Sequence, residues 1–108
     1  MTKESEKKIQ ELQFLEQNMQ NILLQKQAFE LESSETQSAM EELETANDEV
    51  YKIIGQLMIK TEKKKVKEDL SQKLKLIELR IKTLDKQEKS INERIEIIKK
   101  EILEDSKK

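Results

Sequence analysis

Apolar residues recur at alternating spacings of three and four positions along two long stretches of the chain. The first series is Leu12, Leu15, Met19, Ile22, Lys26, Phe29, Ser33, Thr36, Met40, Leu43, Asn47 and Val50, and four of its members are polar. The second is Leu70, Leu74, Ile77, Ile81, Leu84, Glu88, Ile91, Ile95, Ile98 and Ile102, in which Glu88 alone is polar. A sustained spacing near 3.5 residues predicts helices that pack along this seam as a left-handed coiled coil.

The residues between the two stretches follow a different pattern. Residues 50–54 and 57–60 are rich in β-branched and aromatic side chains, and the only glycine of the chain, Gly55, separates them together with Gln56. Two short runs around a glycine turn predict a β-hairpin. Its residues are Val50, Tyr51, Ile53, Ile54, Gly55, Leu57, Met58 and Ile59. The alternative is a bend between two helices that buries the same side chains.

The turn lies between two arms of similar length, so the chain is expected to fold back on itself. The predicted fold is mainly α: an antiparallel two-helix coiled-coil hairpin in a single domain, with a central β-hairpin. The first helix is drawn at 1–49, the β-hairpin at 50–60 and the second helix at 61–108. Thr61 is a plausible N-cap for the second helix. The alternative is that each arm pairs in parallel with another chain.

One register of the folded-back arms aligns the two seams. It places Leu15 opposite Ile102 and Lys26 opposite Ile91, although registers shifted by one heptad fit as well. Lys26 and Glu88 interrupt the seams near each other. Either both side chains extend to solvent, or they form a charge pair that fixes the register at a cost in stability.

The predicted hairpin has two outer edges with unpaired backbone groups, and a two-stranded sheet is marginal in water. The rest of the chain offers no third strand. Strands from several subunits that close into a barrel would pair all the edges. The sequence therefore predicts an oligomer assembled around the middle of the chain.

Composition narrows the functions that such a chain can have. Charged residues make up 41% and the net charge is −2, so no surplus of cations is available for phosphate binding. The best feature for a nucleic-acid binder is a lysine group formed by Lys60, Lys63, Lys64, Lys65 and Lys67, but Glu62, Glu68 and Asp69 lie beside it. The chain has no cysteine and no histidine. We therefore expect no metal site, no cofactor and no enzymatic activity.

Specific segments of the chain resemble the prefoldin family, in particular archaeal β-type subunits. The most specific is the run from Glu49 to Gly55 between the two arms. The other matching residues are Gln25, Lys26, Gln27, Glu30, Glu32, Glu35, Thr36, Gln37, Glu41, Glu42, Leu43, Leu57, Met58, Ile59, Lys60, Glu68, Asp69 and Leu70. The similarity covers nearly the whole chain. An α-type subunit carries two hairpins, and this chain has room for one.

The resemblance implies a hexamer of two α-type and four β-type subunits whose hairpins form barrels. It also implies an ATP-independent chaperone that holds non-native proteins at its coiled-coil tips and passes them to a group II chaperonin. No apolar run approaches the length of a membrane span, and the N-terminus lacks the apolar block of a signal peptide, so the expected location is the cytoplasm. The rival interpretation is a structural scaffold or tether without client binding.

Several apolar residues remain after the seam is satisfied, and they fall in the half of the coiled coil far from the turn. Exposed apolar side chains on a charged surface usually mark a binding site. Fraying of the helix ends would expose seam residues there as well. The predicted client-binding residues are Ile9, Leu12, Phe14, Leu15, Met19, Leu23, Leu24, Ile95, Ile97, Ile98, Ile102 and Leu103. The alternative is that they pack against a neighbouring arm or broaden the seam.

Overall fold

A computed structural model of the chain describes residues 2–107. Helix α1 spans Lys3–Thr45, strand β1 Glu49–Ile54, strand β2 Leu57–Glu62 and helix α2 Lys63–Ser106. This order confirms the predicted fold class, two long helices joined by a β-hairpin. The first helix ends four residues before the boundary drawn from the sequence, and the second begins two residues after it.

Helix α1 begins with a side-chain cap. The backbone N–H of Ser5 donates to the hydroxyl oxygen of Thr2 at 3.2 Å, which satisfies one of the donors that a helix N-terminus leaves without a partner. Glu4 and Glu6 lie in the first turn, where negative charge opposes the positive end of the helix dipole. This cap explains why the helix starts directly after Thr2.

The end of α1 is capped by the first residue of α2. The ammonium group of Lys63 donates to the backbone oxygens of Glu44 and Ala46, each at 3.2 Å, and the backbone N–H of Lys63 donates to the oxygen of Asp48 at 3.1 Å. The last turn of α1 itself has no basic residue. Lys63 thus supplies the cation that the negative end of the dipole favours.

The two strands pair antiparallel around a two-residue turn. Ile54 pairs with Leu57, Ile53 with Met58, and the ladder continues to Glu49 and Glu62. Gly55 has a φ angle of 60°, and no other residue among 2–107 has a positive φ. A positive φ at the first central position alone is typical of a type II′ turn, which matches the twist of a hairpin.

The ladder is longer than expected and includes Thr61, which pairs with Val50. The assignment of Thr61 as an N-cap is therefore wrong. Its β-branched side chain suits a strand position, and the backbone bond between Lys63 and Asp48 closes the open end of the ladder.

The chain divides into two compact units, Met1–Ala28 with Ile81–Lys108, and Phe29–Arg80. We call the first the distal unit and the second the hairpin unit. In the distal unit the buried apolar residues are Ile22, Leu84, Ile95 and Ile98, and in the hairpin unit they are Leu43 and Ile77. All six are seam positions, so the three-four pattern identified the core of both units.

The second series is buried or half-buried throughout, whereas the first departs from the prediction at Asn47. That residue lies beyond the end of α1 and is exposed. Thr36, a polar seam member, is buried and donates its hydroxyl hydrogen to the backbone oxygen of Glu32 at 2.7 Å. This bond within the helix allows a polar group in the seam without an unpaired donor.

Ion pairs between the helices show their register within each unit. Lys26 bonds Asp85 at 2.7 Å and Glu88 at 2.8 Å, closer to the turn than the Ile91 position proposed from the sequence. In the hairpin unit Glu44 bonds Lys67 at 2.9 Å, where the proposed register would place Lys73. The helices therefore pair about one heptad nearer the turn than the first register, in the shifted alternative.

Substitution of Gly55 will test the turn. Its Cβ would meet no atom within 4 Å, so the cost of a side chain is backbone strain at positive φ and not a clash. We expect Gly55→Val to lower the free energy of unfolding by about 1–2 kcal/mol. Gly55→Asn, which tolerates this conformation, is the matched control and should lose less. Equal losses in denaturant unfolding would contradict the turn assignment.

Lys26 and its two carboxylates will behave as one unit. The Lys26 side chain is 19% exposed, so Lys26→Met leaves the seam carboxylate of Glu88 half-buried and without its cation. We expect the single variant to lower the denaturation midpoint and the double variant Lys26→Met with Glu88→Leu to restore it. A double variant that loses more stability than Lys26→Met alone would show that the two residues act independently.

The same pair has a defined pH dependence. The hydrogen bonds that Lys26 donates to Asp85 and then to Glu88 raise the pKa of Lys26 above its ordinary value of 10.5. A raised folded-state pKa gives stability that is complete below the unfolded value and is lost as the pH rises through the folded one. The stability difference between the native chain and Lys26→Met should be constant between about pH 7 and about pH 9 and shrink above 10.5. If the stability difference disappeared near neutral pH, the raised pKa of Lys26 could not be its cause.

Candidate functional site

The β-hairpin exposes apolar side chains that a single chain cannot cover. Tyr51, Ile53, Ile54, Leu57, Met58 and Ile59 are all exposed, with Ile53 at 70%. Fully burying one such side chain stabilises by about 1.5–3 kcal/mol. The hairpin is therefore a surface with a large unused capacity for apolar contact.

Both faces of the hairpin carry this surface. The pairing places Ile53 and Met58 together on one face, and Ile54 and Leu57 together on the other. A sheet with one solvated face would alternate apolar and polar residues. Apolar pairs on both faces are typical of strands that are covered on two sides.

The lysines that follow the turn are engaged within the hairpin unit. Lys60 bonds Glu49 at 2.9 Å, Lys63 caps α1, and Lys67 bonds Glu44 at 2.9 Å. The hydrogen bond from Lys67, with the charges of Lys67 and Lys63, lowers the pKa of Glu44 below its ordinary value. Three members of the lysine group thus have partners in the chain, which weakens the nucleic-acid interpretation.

The distal unit carries a second set of exposed apolar residues. Five of the predicted client-binding residues are exposed there: Phe14, Leu23, Leu24, Ile97 and Leu103. Phe14 and Leu24 are each 63% exposed. They lie off the seam, so coiled-coil packing does not cover them.

The seam members of the predicted client-binding set are not exposed. Ile98 is fully buried and Ile95 is 6% exposed. Ile9, Leu12, Leu15, Met19 and Ile102 are half-buried. Helix α1, Lys3–Thr45, and helix α2, Lys63–Ser106, are continuous in the folded chain, so the exposure of Leu15, Met19, Ile95, Ile98 and Ile102 by fraying stays a prediction.

Ion pairs hold the two helices together near their distal ends. Lys8 bonds Asp105 at 3.1 Å and Glu101 at 3.8 Å, and Arg94 donates two hydrogen bonds to one oxygen of Glu11, each at 3.2 Å. The hydrogen bond that Lys8 donates to Asp105 raises the pKa of Lys8. Such exposed pairs stabilise weakly, so the burial of Ile95 and Ile98 contributes more to the packing of the two helices.

Three further apolar residues are exposed in the hairpin unit: Leu31, Leu76 and Leu79. Leu76 and Leu79 lie off the seam near the turn, and their packing against the hairpin stays a prediction. Leu31 was not assigned to any site. Leu31 occupies a heptad position on the side of α1 away from the seam. Each heptad has two seam positions, and Leu31 lies far from both. This placement was the signal in the sequence that could have identified Leu31 as exposed.

Residues 2–107 contain neither a candidate metal-binding cluster nor a candidate membrane-spanning helix. No group of three or more acidic side chains is placed to hold a metal ion. Neither helix has an apolar window that could cross a bilayer.

Comparison with known proteins points to one family. The model of the family described as prefoldin subunit matches residues 6–107. A prefoldin subunit beta of Thermococcus onnurineus is 35% identical over 94 residues, which cover 85% of this chain and 81% of the relative. The prefoldin subunit beta of Archaeoglobus fulgidus is 38% identical over 88 residues, covering 80% and 76%.

A solved structure agrees in fold. The crystal structure of the prefoldin beta subunit from Thermococcus strain KS-1 matches with a TM-score of 0.86 and 32% identity, covering 94% of this chain and 90% of that one. The sequence match and the fold match both extend over the helices and the hairpin. The chain therefore belongs to the prefoldin family of molecular chaperones, and the relatives that it matches here are beta subunits.

Proposed function

We propose that this chain is a subunit of an ATP-independent holdase that binds non-native proteins at the ends of its coiled coil and passes them to a group II chaperonin. The observation that carries the proposal is the set of five exposed apolar residues in the distal unit, Phe14, Leu23, Leu24, Ile97 and Leu103. In the same unit the seam is already filled by Ile22, Leu84, Ile95 and Ile98. The exposed residues are thus surplus to folding and free to contact a client.

The chemistry of these residues suits clients without a fixed shape. Leu, Ile and Phe side chains supply apolar area that does not depend on a defined partner geometry. Each half-exposed side chain contributes about 1 kcal/mol when a client covers it. Several such ends acting on one client gain by effective concentration, so weak contacts suffice for holding. No chemical step or nucleotide is part of this mechanism.

The hairpin provides the means of assembly in this proposal. Apolar residues on both faces, Ile53 and Met58 on one and Ile54 and Leu57 on the other, favour burial between subunits. Pairing of the free strand edges with other hairpins would satisfy their backbone groups. The proposed assembly is a cytoplasmic hexamer of two α-type subunits and four copies of this β-type chain.

Removal of the distal apolar residues should abolish holding. The test variant is Phe14→Ser, Leu23→Ser, Ile97→Ser and Leu103→Ser combined, assembled with an α-type partner. At about 1 kcal/mol for each of the four side chains, client affinity should fall about a thousandfold, so suppression of light scattering from a diluted unfolded protein should be lost.

The matched control places four serines at exposed polar positions of the same unit: Gln13→Ser, Gln20→Ser, Glu96→Ser and Glu104→Ser. It should hold clients as the native chain does. Equal holding by the test variant and the control would refute the proposed site. If the native assembly itself does not suppress scattering, a scaffold or tether is the better account of the chain.

Polar substitution on one hairpin face should prevent assembly. Ile53→Ser with Met58→Ser removes a cross-strand apolar pair that the helices do not need. We expect a lower particle mass by analytical ultracentrifugation while the helical circular dichroism is kept. Glu49→Ser with Lys60→Ser, which removes an exposed ion pair of the same hairpin, is the control and should retain the mass. An unchanged mass in the first variant would place the assembly contacts elsewhere.

A further inference from the structure

The outer face of α1 in the distal unit carries a second regular stripe. Phe14, Gln17, Asn21, Leu24 and Ala28 follow one another at spacings of three, four, three and four residues, and all five are exposed. Two of them are the large apolar residues Phe14 and Leu24. We call these five positions the outer stripe. They occupy the heptad positions farthest from the seam.

The outer stripe lies in a stretch almost free of charge. Residues 14–28, which span the stripe, contain two charged residues, Glu16 and Lys26, although 41% of the whole chain is charged. The stripe itself contains none. A solvated helix face in this chain would be expected to carry charges of both signs, so the composition here indicates selection for contact and not only for solubility.

Helix α2 shows what a solvated outer face looks like in the same unit. Its equivalent positions are Lys86, Ser90, Glu93, Ile97 and Lys100, all of them exposed. Three of these five are charged, and Ile97 is the single apolar member. The two helices of the distal unit therefore differ in what they can bind, and α1 is the one that offers a neutral surface.

The spacing of the outer stripe indicates the conformation of its ligand. Alternating steps of three and four residues match the side-chain rows of another helix packed alongside, in which anchors recur at i, i+3 and i+7. An extended segment presents its side chains with a period of two and an advance of about 3.3 Å per residue, which does not follow this stripe. Gln17 and Asn21 place amides between the apolar anchors, where they can pair with uncharged polar side chains.

The size of the stripe indicates a transient ligand. Fifteen helical residues extend over about 22 Å, and with a contact width of about 10 Å the stripe offers roughly 220 Å². Doubled for two partners, this lies well below the roughly 1,000 Å² of a stable protein interface. A permanent pairing with a second copy of the chain is therefore disfavoured, whereas reversible binding of a short segment is not.

From these observations we infer that the outer stripe of α1 binds uncharged amphipathic helices exposed by non-native clients. The inference rests on the proposed holdase function and assigns to it a ligand class and one helix. The seam between α1 and α2 stays closed during this binding. Clients rich in helical segments are then held mainly through α1.

The test uses the full chain assembled with its α-type partner and a labelled synthetic peptide. The probe is a neutral helix of Leu, Ala, Ser and Gln with Leu at alternating spacings of three and four. Its control has the same composition in an order that places Leu on all sides. We expect fluorescence anisotropy to show binding of the probe about tenfold tighter than of the control, with a gain in helical circular dichroism on binding.

Two matched variants locate the contact. Leu24→Asp puts a charge in the middle of the stripe and should weaken probe binding by about tenfold. Ser90→Asp puts the same charge on the exposed outer face of α2, at a residue outside the proposed client-binding set, and should leave probe binding within about twofold. Equal effects of the two variants, or equal binding of probe and control peptide, would overturn the inference.

Failure of the inference and failure of the proposed function are distinguishable. Suppressed scattering of an unfolded protein together with no preference for the helical probe would leave the holdase standing and refute the stripe. Absent suppression refutes the holdase whatever the peptide does. A fall in particle mass with Leu24→Asp would mean that a second copy occupies the stripe, and that result too would overturn the inference.

Discussion

The narrow seam between two helices is the constraint on which the rest of this structure depends. A two-helix coiled coil buries little more than the two rows of side chains that face each other, so residues off those rows remain in water. The chain meets this limit by making most other positions charged or amide-bearing. Where it does not do so, on the hairpin and in the distal unit, the apolar surface is available for other molecules. Assembly and client binding are thus proposed at the hairpin and in the distal unit, where exposed positions carry apolar side chains instead of charged or amide-bearing ones.

The seam alone does not determine the pairing of the helices, because a heptad repeat matches itself after a shift of seven residues. Two non-repeating features resolve the degeneracy. The type II′ turn at Gly55 makes Ile54 the partner of Leu57 and so fixes the pairing at the centre of the chain. In the distal unit Lys26 is held between Asp85 and Glu88, an arrangement that a shifted register would lose. A polar seam residue that costs stability can in this way specify a single arrangement.

The sequence was sufficient to predict the fold, because apolar residues follow a different pattern in the helices and in the hairpin. Spacings near 3.5 residues identified the helices and the core residues such as Ile77 and Ile98, and the Gly55 turn between β-branched runs identified the hairpin. Only tertiary contacts set the remaining features. The register could not be chosen without the partners of Lys26, and the role of Lys63 as a cap depends on two helix ends that meet through the hairpin. Thr61 carried a valid capping signal, but strand pairing with Val50 prevailed over it.

The exposure of the proposed client-binding residues was predicted in part. Off-seam residues such as Phe14 and Leu24 are exposed as expected, since their heptad positions exclude them from the core. Ile95 and Ile98 had been included on the assumption of frayed ends, and continuous helices bury them instead. Leu31 was not predicted, because it lies in the hairpin unit and the predicted set was confined to the half of the coiled coil far from the turn. In this fold the heptad position of a residue predicts exposure better than its distance from the chain ends.

The cap that Lys63 forms on α1 joins segments that are far apart in the order of synthesis. Its side chain holds the carbonyl groups of Glu44 and Ala46, and its backbone closes the strand ladder at Asp48. The last turn of α1, the open end of the ladder and the first turn of α2 therefore form one cooperative unit that opens together. During translation, the end of α1 stays without this cap until the hairpin has emerged. Amide protons near Glu44 should consequently become protected only when the strands have closed, which makes the hairpin the event that completes the helix before it.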